Sequence, residues 1–460
     1  MQKTHDLKRD LLKGCPIEEQ VERMFDIIHS ALEEVAPDQC INRFVQREGS
    51  RIAVGDLTFD LAYFEQVKVV AIGKAAIPMA QSILEILGEY LAEGFVITKH
   101  LSSDDARTLP SMIQVCLGSH PVPDEKSISC SKKLVKFLAK SGENDLILFL
   151  ISGGGSALAC LPVEGVSLSD IQATTRSLLA CGAEIQEMNT IRKHLDIIKG
   201  GGLARIISPA QMITFALSDV VGNSLDVIAS GPTVPDSSTY GEAISILEKY
   251  KLEMVVPRIV WEHLENGRQG IIRETPKVED SCFTKAATVL VGSNYQAATA
   301  ALREAKRQGV NTLLLTTSMR GEARDAGRFI AGIASEIDTS GHPVKRPACI
   351  IAGGETTVVL RGNGLGGRNL EVALGAVTDM AGLKDAYLVT IATDGEDGPT
   401  DAAGAVVSGN TFREMKQRGL NSEESLALND SYHFFEELEK LIKLGPTGTN
   451  VNDLAFLFVF

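Results

Sequence analysis

Two α/β domains with mostly parallel sheets are what this sequence predicts, on three observations. Short apolar runs alternate with glycine turns and amphipathic helical stretches, the order of a sheet with helices on both faces. Two of those runs, residues 145–152 (DLILFLIS) and 212–217, are almost uninterruptedly apolar, as strands covered on both sides must be. And 460 residues are too many for one ordinary hydrophobic core.

Taken in order, residues 1–46 read as amphipathic helix, with Met24, Ile27, Ile28, Ala31, Leu32 and Val35 at helical spacing. Residues 67–72 form a β-like run that passes through Gly73-Lys74 into a helix bearing Ala80, Ile83, Leu84, Leu87 and Leu91 on one side. Pro78 is tolerated there because it lies in the first turn. Strands are expected at 95–98 and 113–117, then at the two apolar runs. Between these, 169–182 and 184–199 read as helices, the first opened by a Ser169/Gln172 capping box and the second stopped by Gly200-Gly201-Gly202. The polar, poorly periodic stretch 267–281 marks the domain boundary, giving domains of residues 1–284 and 285–460. A second alternating series follows, with strands at 288–291, 312–316, 348–352, 356–360, 387–392 and 455–460. Its first helix opens with the capping box Ser293–Gln296 and runs to Gly309.

Composition narrows the partners. Hydrophobic content of 44% with 23% charged residues suits a folded globular chain, and 5% aromatics leaves its cores aliphatic. A net charge of −14 argues against nucleic acid or an anionic membrane surface, although a cleft can still gather a few cations around a small anion. The eight cysteines include no C-x-x-C pair and read as reduced thiols of a cytoplasmic enzyme. The amino terminus is too charged for a secretory signal, and no apolar run approaches the roughly 18 residues of a membrane span.

Chemistry is expected beyond the carboxyl ends of the strands, where ligands of such sheets sit. Ser152-Gly153-Gly154-Gly155-Ser156 follows a buried strand, and its three glycines let successive N–H groups close around a phosphate or carboxylate. Gly73-Lys74 occupies the equivalent place after an earlier strand, without the full P-loop spacing. Residues 362–369 (GNGLGGRN) contain a formal G-x-G-x-x-G, which resembles a dinucleotide fingerprint. The acidic residue that should follow about 20 positions later is missing, while Arg368 suits a two-pronged grip on an anion. Asp394, Glu396, Asp397 and Asp401 cluster after the strand at 387–392, and Glu355 stands at another strand end. Such carboxylates suit Mg²⁺ shared with waters and phosphates, or a solvated acidic turn. The histidines show no zinc spacing.

Together these segments resemble the glycerate 2-kinases of the MOFRL type. The resemblance runs in order through AIGKAA (71–76), GSHPVPDE (118–125), ISGGGSALACLP (151–162), NTIRKHLDIIKGGGLA (189–204), SDVVGN (218–223) and IASGPTVPD (228–236). It continues with GGETTV (353–358), GLGGRNLE (364–371), TDGEDGPTDAAGA (393–405) and GPTGTNVNDL (445–454). It implies a Rossmann-like amino-terminal domain, a cleft between the two domains, and transfer of the ATP γ-phosphate to the 2-hydroxyl of D-glycerate with Mg²⁺. Lys74 and Arg368 would be catalytic. Ser152, Gly153, Gly154, Gly155, Ser156, Lys199 and Asn223 would serve the ATP phosphates, and His120, Arg192 and Gly367 the substrate. Asp219, Glu355 and Asp394 compete for the metal. At Asn223 the family pattern often carries an acidic residue, so no metal role is implied there. The sequence allows a homodimer. The rival readings are an NAD(P)H-dependent hydroxypyruvate reductase, supported by the formal G-x-G-x-x-G, and a non-catalytic metabolite-binding protein.

Overall fold

The computed structural model describes residues 2–460, which divide into two units, residues 40–291 and residues 2–39 with 292–460. The expected boundary at 284/285 thus differs at two points. The first 39 residues pack with the carboxy-terminal half, because the apolar face of helix Glu18–Glu34 (Val21, Met24, Ile27, Ile28 and Ala31) lies on helix Asn294–Arg307. That second helix offers a surface of small residues, among them Ala297, Ala298, Ala301 and Ala305, which admits the larger side chains. At the other end, the strand expected to open the second domain belongs instead to the first sheet.

In the unit of residues 40–291, β1 (Val45–Glu48), β2 (Arg51–Val54) and β3 (Leu57–Asp60) make a small antiparallel sheet within a stretch partly read as helix. The main sheet contains β4 (Gln66–Ile72), β5 (Leu91–Thr98), β6 (Ile113–Leu117), β7 (Asp145–Ile151), β8 (Gln211–Leu217) and β9 (Ala286–Gly292), in the order β6-β5-β4-β7-β8-β9. Pairing is parallel from β6 through β8. The register aligns Ile72 with Ile97 and Ile151, and Ile151 with Ala216, so four strands end in one row. Helix Leu168–Ala180 begins one residue before its expected start, capped by Ser167 and Asp170. The next helix stops at His194 rather than running to Lys199, since residues 196–199 turn away to bond the segment at 159–161.

The other unit holds β10 (Asn311–Met319), β11 (Ala348–Gly354), β12 (Ala386–Ala392), β13 (Gly404–Ser408), β14 (Leu441–Ile442) and β15 (Asp453–Val459), in the order β10-β11-β15-β12-β13-β14. This sheet is mixed rather than mostly parallel: only β10 and β11 pair in parallel. β15 is buried along its whole length, and such a run reads the same in either direction. Its reversed sense has a consequence: the start of β15 lies beside the ends of its neighbours, with Gly354 and Ala392 both in register with Asp453. The strand expected at 356–360 does not form. Thr357 makes one isolated bridge to Glu322, and Val359 and Leu360 lie exposed. Among the described residues no helix is long and apolar enough to cross a membrane.

Candidate active site

In the first sheet β5 and β6 extend from one side of β4 and β7 and β8 from the other. The ends of β4 and β7 therefore frame the point where strand order reverses, the usual ligand crevice of a parallel sheet. Residues 73–75 and 152–156 stand there and are stitched together. Lys74 N donates to Gly153 O at 2.9 Å, and Ala75 N to Ser152 Oγ at 3.0 Å. Both loops need glycine for conformation: Gly73 has φ +136° and Gly154 φ +81°. The N–H groups of Gly153 and Gly154 donate to no group among the described residues, which leaves a pair of backbone donors beside the exposed Lys74. That is an anion cradle with a cation at its rim.

Behind this cradle lie three consecutive left-handed residues, Ala229 (φ +48°), Ser230 (φ +62°) and Gly231 (φ +59°). For the two that are not glycine this conformation costs roughly 1–2 kcal/mol each. The Ala229 methyl fills the space beside Gly155, where an added Cβ would come within 2.8 Å of it. Ser230 Oγ meets Ser156 Oγ at 2.9 Å, and the carbonyls of Ser230 and Gly231 accept from Gly200 N and Gly201 N at 2.9 and 2.7 Å. Nothing local in the sequence marks this segment, because the left-handed turn is imposed by its surroundings.

Other expected residues gather around the same strand ends. The Asp219 carboxylate packs against Gly153, and the His120 ring against Gly154. Burial pushes the His120 imidazole down to about 4, helped by Lys74 and Lys99, so it is neutral near pH 7 and offers no cation. Asn223 lies in the turn after β8, itself left-handed at φ +56°. Arg192 is partly buried, which lowers its pKa, and it makes no ion pair among the described residues. Lys199 departs from expectation. It is buried, donates to Asp196 Oδ2 at 2.6 Å and to Ala159 O at 3.2 Å, and so braces the chain after the cradle rather than facing a ligand.

In the other unit the expected residues meet around Arg368, the first residue of helix Arg368–Ala376. Its guanidinium pairs with Glu355 through Nη1 and lies 3.0 Å from Asp453 Oδ2 through Nε. Burial works against this cation, but the carboxylates of Asp453 and Glu355 outweigh it and raise its pKa further. Asp397, read from sequence only as one of an acidic cluster, and Asp453, which the sequence reading gave no role, complete the group. Asp397 accepts from Asn369 N and Leu370 N at 3.0 and 2.8 Å, which consumes the first free N–H groups of the helix. Asp453 accepts from Asn369 Nδ2 at 2.8 Å. Burial raises Asp397 to about 6 against those donors, and raises Asp453 to about 7 against the pull of Arg368. Asp394 is partly buried and bonds within its own turn, Glu396 N donating to its carboxylate at 3.3 Å. Among the described residues no three His, Cys, Asp or Glu side chains stand together as a metal site.

The G-x-G-x-x-G of residues 362–367 has another physical reason. None of its glycines has positive φ. Instead each lies against other chain: Gly362 and Gly364 against the Leu428 carbonyl, Gly366 against Ser431 and Gly367 against the Asp397 carboxylate. The loop is pinned from that side, with Arg361 N and Gly362 N donating to Asn429 Oδ1 at 2.7 and 3.0 Å and Leu365 N to Asp430 Oδ1 at 3.0 Å.

Comparison with known proteins agrees with this geometry. A family described as a domain of unknown function (DUF4147) matches residues 23–265, and the MOFRL family matches residues 348–453. A D-glycerate 2-kinase of Thermotoga maritima is 41% identical over 93% of this chain and 96% of its own. A protein of Agrobacterium vitis named, provisionally, as a hydroxypyruvate reductase is 37% identical over 85% of this chain and 98% of its own. A crystal structure of glycerate kinase from Thermotoga maritima superposes with a TM-score of 0.84 at 39% identity, covering 96% of this chain and all of that one. Both units and their order are therefore shared along almost the whole length, and the chain belongs to the glycerate 2-kinase family of the MOFRL type.

Proposed function

We propose that this protein is an ATP-dependent kinase that phosphorylates the 2-hydroxyl of D-glycerate, yielding 2-phospho-D-glycerate and ADP. The observation that carries the reading is the stitched pair of loops at the ends of β4 and β7, where two unused backbone N–H groups adjoin Lys74. Phosphoryl transfer asks mainly for positioning and charge neutralisation, and this arrangement suits both. In the proposal Gly153 and Gly154 hold nucleotide phosphate oxygens, and Lys74 and Arg368 are the catalytic cations of their respective units. Arg192, without a carboxylate partner, is suited to the glycerate carboxylate as a planar two-pronged donor. His120, neutral at working pH, contributes a hydrogen bond rather than a charge.

Mg²⁺ fits this chain as a companion of the nucleotide rather than as a resident of a protein cage, since it is commonly held by one or two carboxylates, waters and phosphates. Asp219, packed against Gly153 beside the proposed phosphate site, would hold it. The bound ion supplies neutralisation of phosphate oxygens. Eight unpaired cysteines suit a cytoplasmic setting, and assembly as a homodimer is open to light scattering.

The rival hydroxypyruvate reductase rested on the formal dinucleotide fingerprint, and the packing of those glycines against residues 428–431 and Asp397 removes that support. Coupling the reaction to enolase and pyruvate kinase, with no phosphoglycerate mutase, tests the proposal. Signal without mutase is expected. Signal only after mutase is added would mean phosphorylation at the 3-hydroxyl, and NADH oxidation with hydroxypyruvate would favour the reductase.

A further inference from the structure

We propose that Asp453 is a positioning residue for Arg368: from the start of β15 it fixes the plane in which the guanidinium presents its remaining edge. This rests on the reading of Arg368 as a group that serves the transferred phosphoryl.

Asp397 takes up the N–H groups of Asn369 and Leu370, so the Arg368 side chain is the main donor group this helix end offers an anion. That side chain has three donor positions. Nη1 donates to Glu355, Nε lies 3.0 Å from Asp453 Oδ2 as an ion pair without a hydrogen bond, and Nη2 makes no hydrogen bond among the described residues. The two carboxylates differ in firmness. Glu355 is 42% exposed on a long flexible stem, so its pairing is screened by water. Asp453 is 5% exposed on a short stem, in register with both Gly354 and Ala392, and its other oxygen is locked by Asn369 Nδ2 at 2.8 Å. Asn369 also reaches toward Asp397 at 3.4 Å. The cap that holds the helix and the acid that holds the guanidinium are thereby joined through one amide, and the fork turns with the helix rather than freely.

Asp453→Asn keeps the shape and the packing but removes the buried negative charge that stands 3.0 Å from Arg368 Nε. Because a misplacement near 1 Å can cost about 10²-fold in rate, kcat should fall by roughly 10–100-fold, with KM for ATP nearly unchanged. The decisive measurement repeats this substitution in an Arg368→Lys background. Lysine keeps the charge but has no planar fork whose orientation a neighbouring carboxylate could set, so Asp453→Asn should then remove little or no further activity. Equal factors in the two backgrounds would overturn the proposal, as would near-normal kcat in Arg368→Lys or in a folded Asp453→Asn. Should Asp453→Asn fail to fold, Asn369→Ser frees the acid while keeping its charge. It should show the same dependence on background, and equal losses in both would overturn the proposal too. Failure of the kinase reading is seen separately, as absence of 2-phosphoglycerate from the unmodified enzyme.

Discussion

The chain carries two glycine-rich loops at strand ends, and glycine does different work in each. Around residues 73 and 152–156 it supplies conformation: Gly73 and Gly154 adopt positive φ, and in the turn they permit the N–H groups of Gly153 and Gly154 donate to no group among the described residues. In residues 362–367 it supplies proximity, since none of these glycines has positive φ and their missing side chains make room for residues 428–431 and Asp397. The first loop takes its shape from its glycines, and the second is a support that carries Arg368 at its end. The same composition therefore marks a turn in one unit and a packing joint in the other. Only the neighbours tell them apart.

The largest effect that could break this contrast is at the rim of the cradle. Lys74→Ala should lower kcat by roughly 10³–10⁵-fold, as removal of a charge-neutralising cation does in other phosphoryl transfers. If Lys74 merely binds a ground-state anion, KM will rise while kcat holds. Near-normal kcat, with circular dichroism showing an intact fold, would take this lysine out of the mechanism.

A sharper test compares one alanine in each loop. Gly154→Ala imposes a left-handed alanine, costing roughly 1–2 kcal/mol, and turns its new methyl toward the His120 ring. Gly364→Ala needs no unusual backbone angle, but its methyl would lie about 2.6 Å from the Leu428 carbonyl. We expect Gly154→Ala to raise KM for ATP at least tenfold with a modest drop in Tm. Gly364→Ala should mainly lower Tm, by about 1–3 kcal/mol of strain, as overpacking does. A rise in KM for ATP in Gly364→Ala at unchanged Tm would make the second loop a nucleotide site after all.

What could be read from sequence follows the same division. The alternating strands and helices, the strand ends and the cradle at Ser152–Ser156 were legible because each rests on local periodicity or a local glycine run. The sense of β15 was not, since residues 453–459 are buried on both faces and carry no directional mark. The roles of Asp397 and Asp453 were hidden for a related reason. Asp397 stands in an acidic turn that reads as solvated or metal-binding, and only the fold puts its carboxylate on the first N–H groups of the Arg368 helix. Lys199, which the resemblance implied as a phosphate ligand, is buried and donates to Asp196, a pairing that no local pattern announces.

The smallest effect separates the two units by the sign of their response to acid. His120 has its ordinary value of 6.5 pushed down to about 4, so between those values the unfolded chain binds a proton that the folded chain refuses. Stability from this residue is therefore lost as pH falls through that window. With the ring partly exposed, the loss is about 1–2 kcal/mol. Asp397 and Asp453 behave oppositely. Raised from 3.8 to about 6 and about 7, they hold protons in the folded state that the unfolded chain has released, so acidification from pH 7 toward 4 strengthens their unit. Tm measured at pH 7.5 and pH 5 should fall less in His120→Gln than in the unmodified protein, because the acid-sensitive imidazole is gone. In Asp453→Asn it should fall more, because part of the compensating proton uptake is gone. Identical pH slopes in all three proteins would mean that neither unit carries its charge balance in these residues.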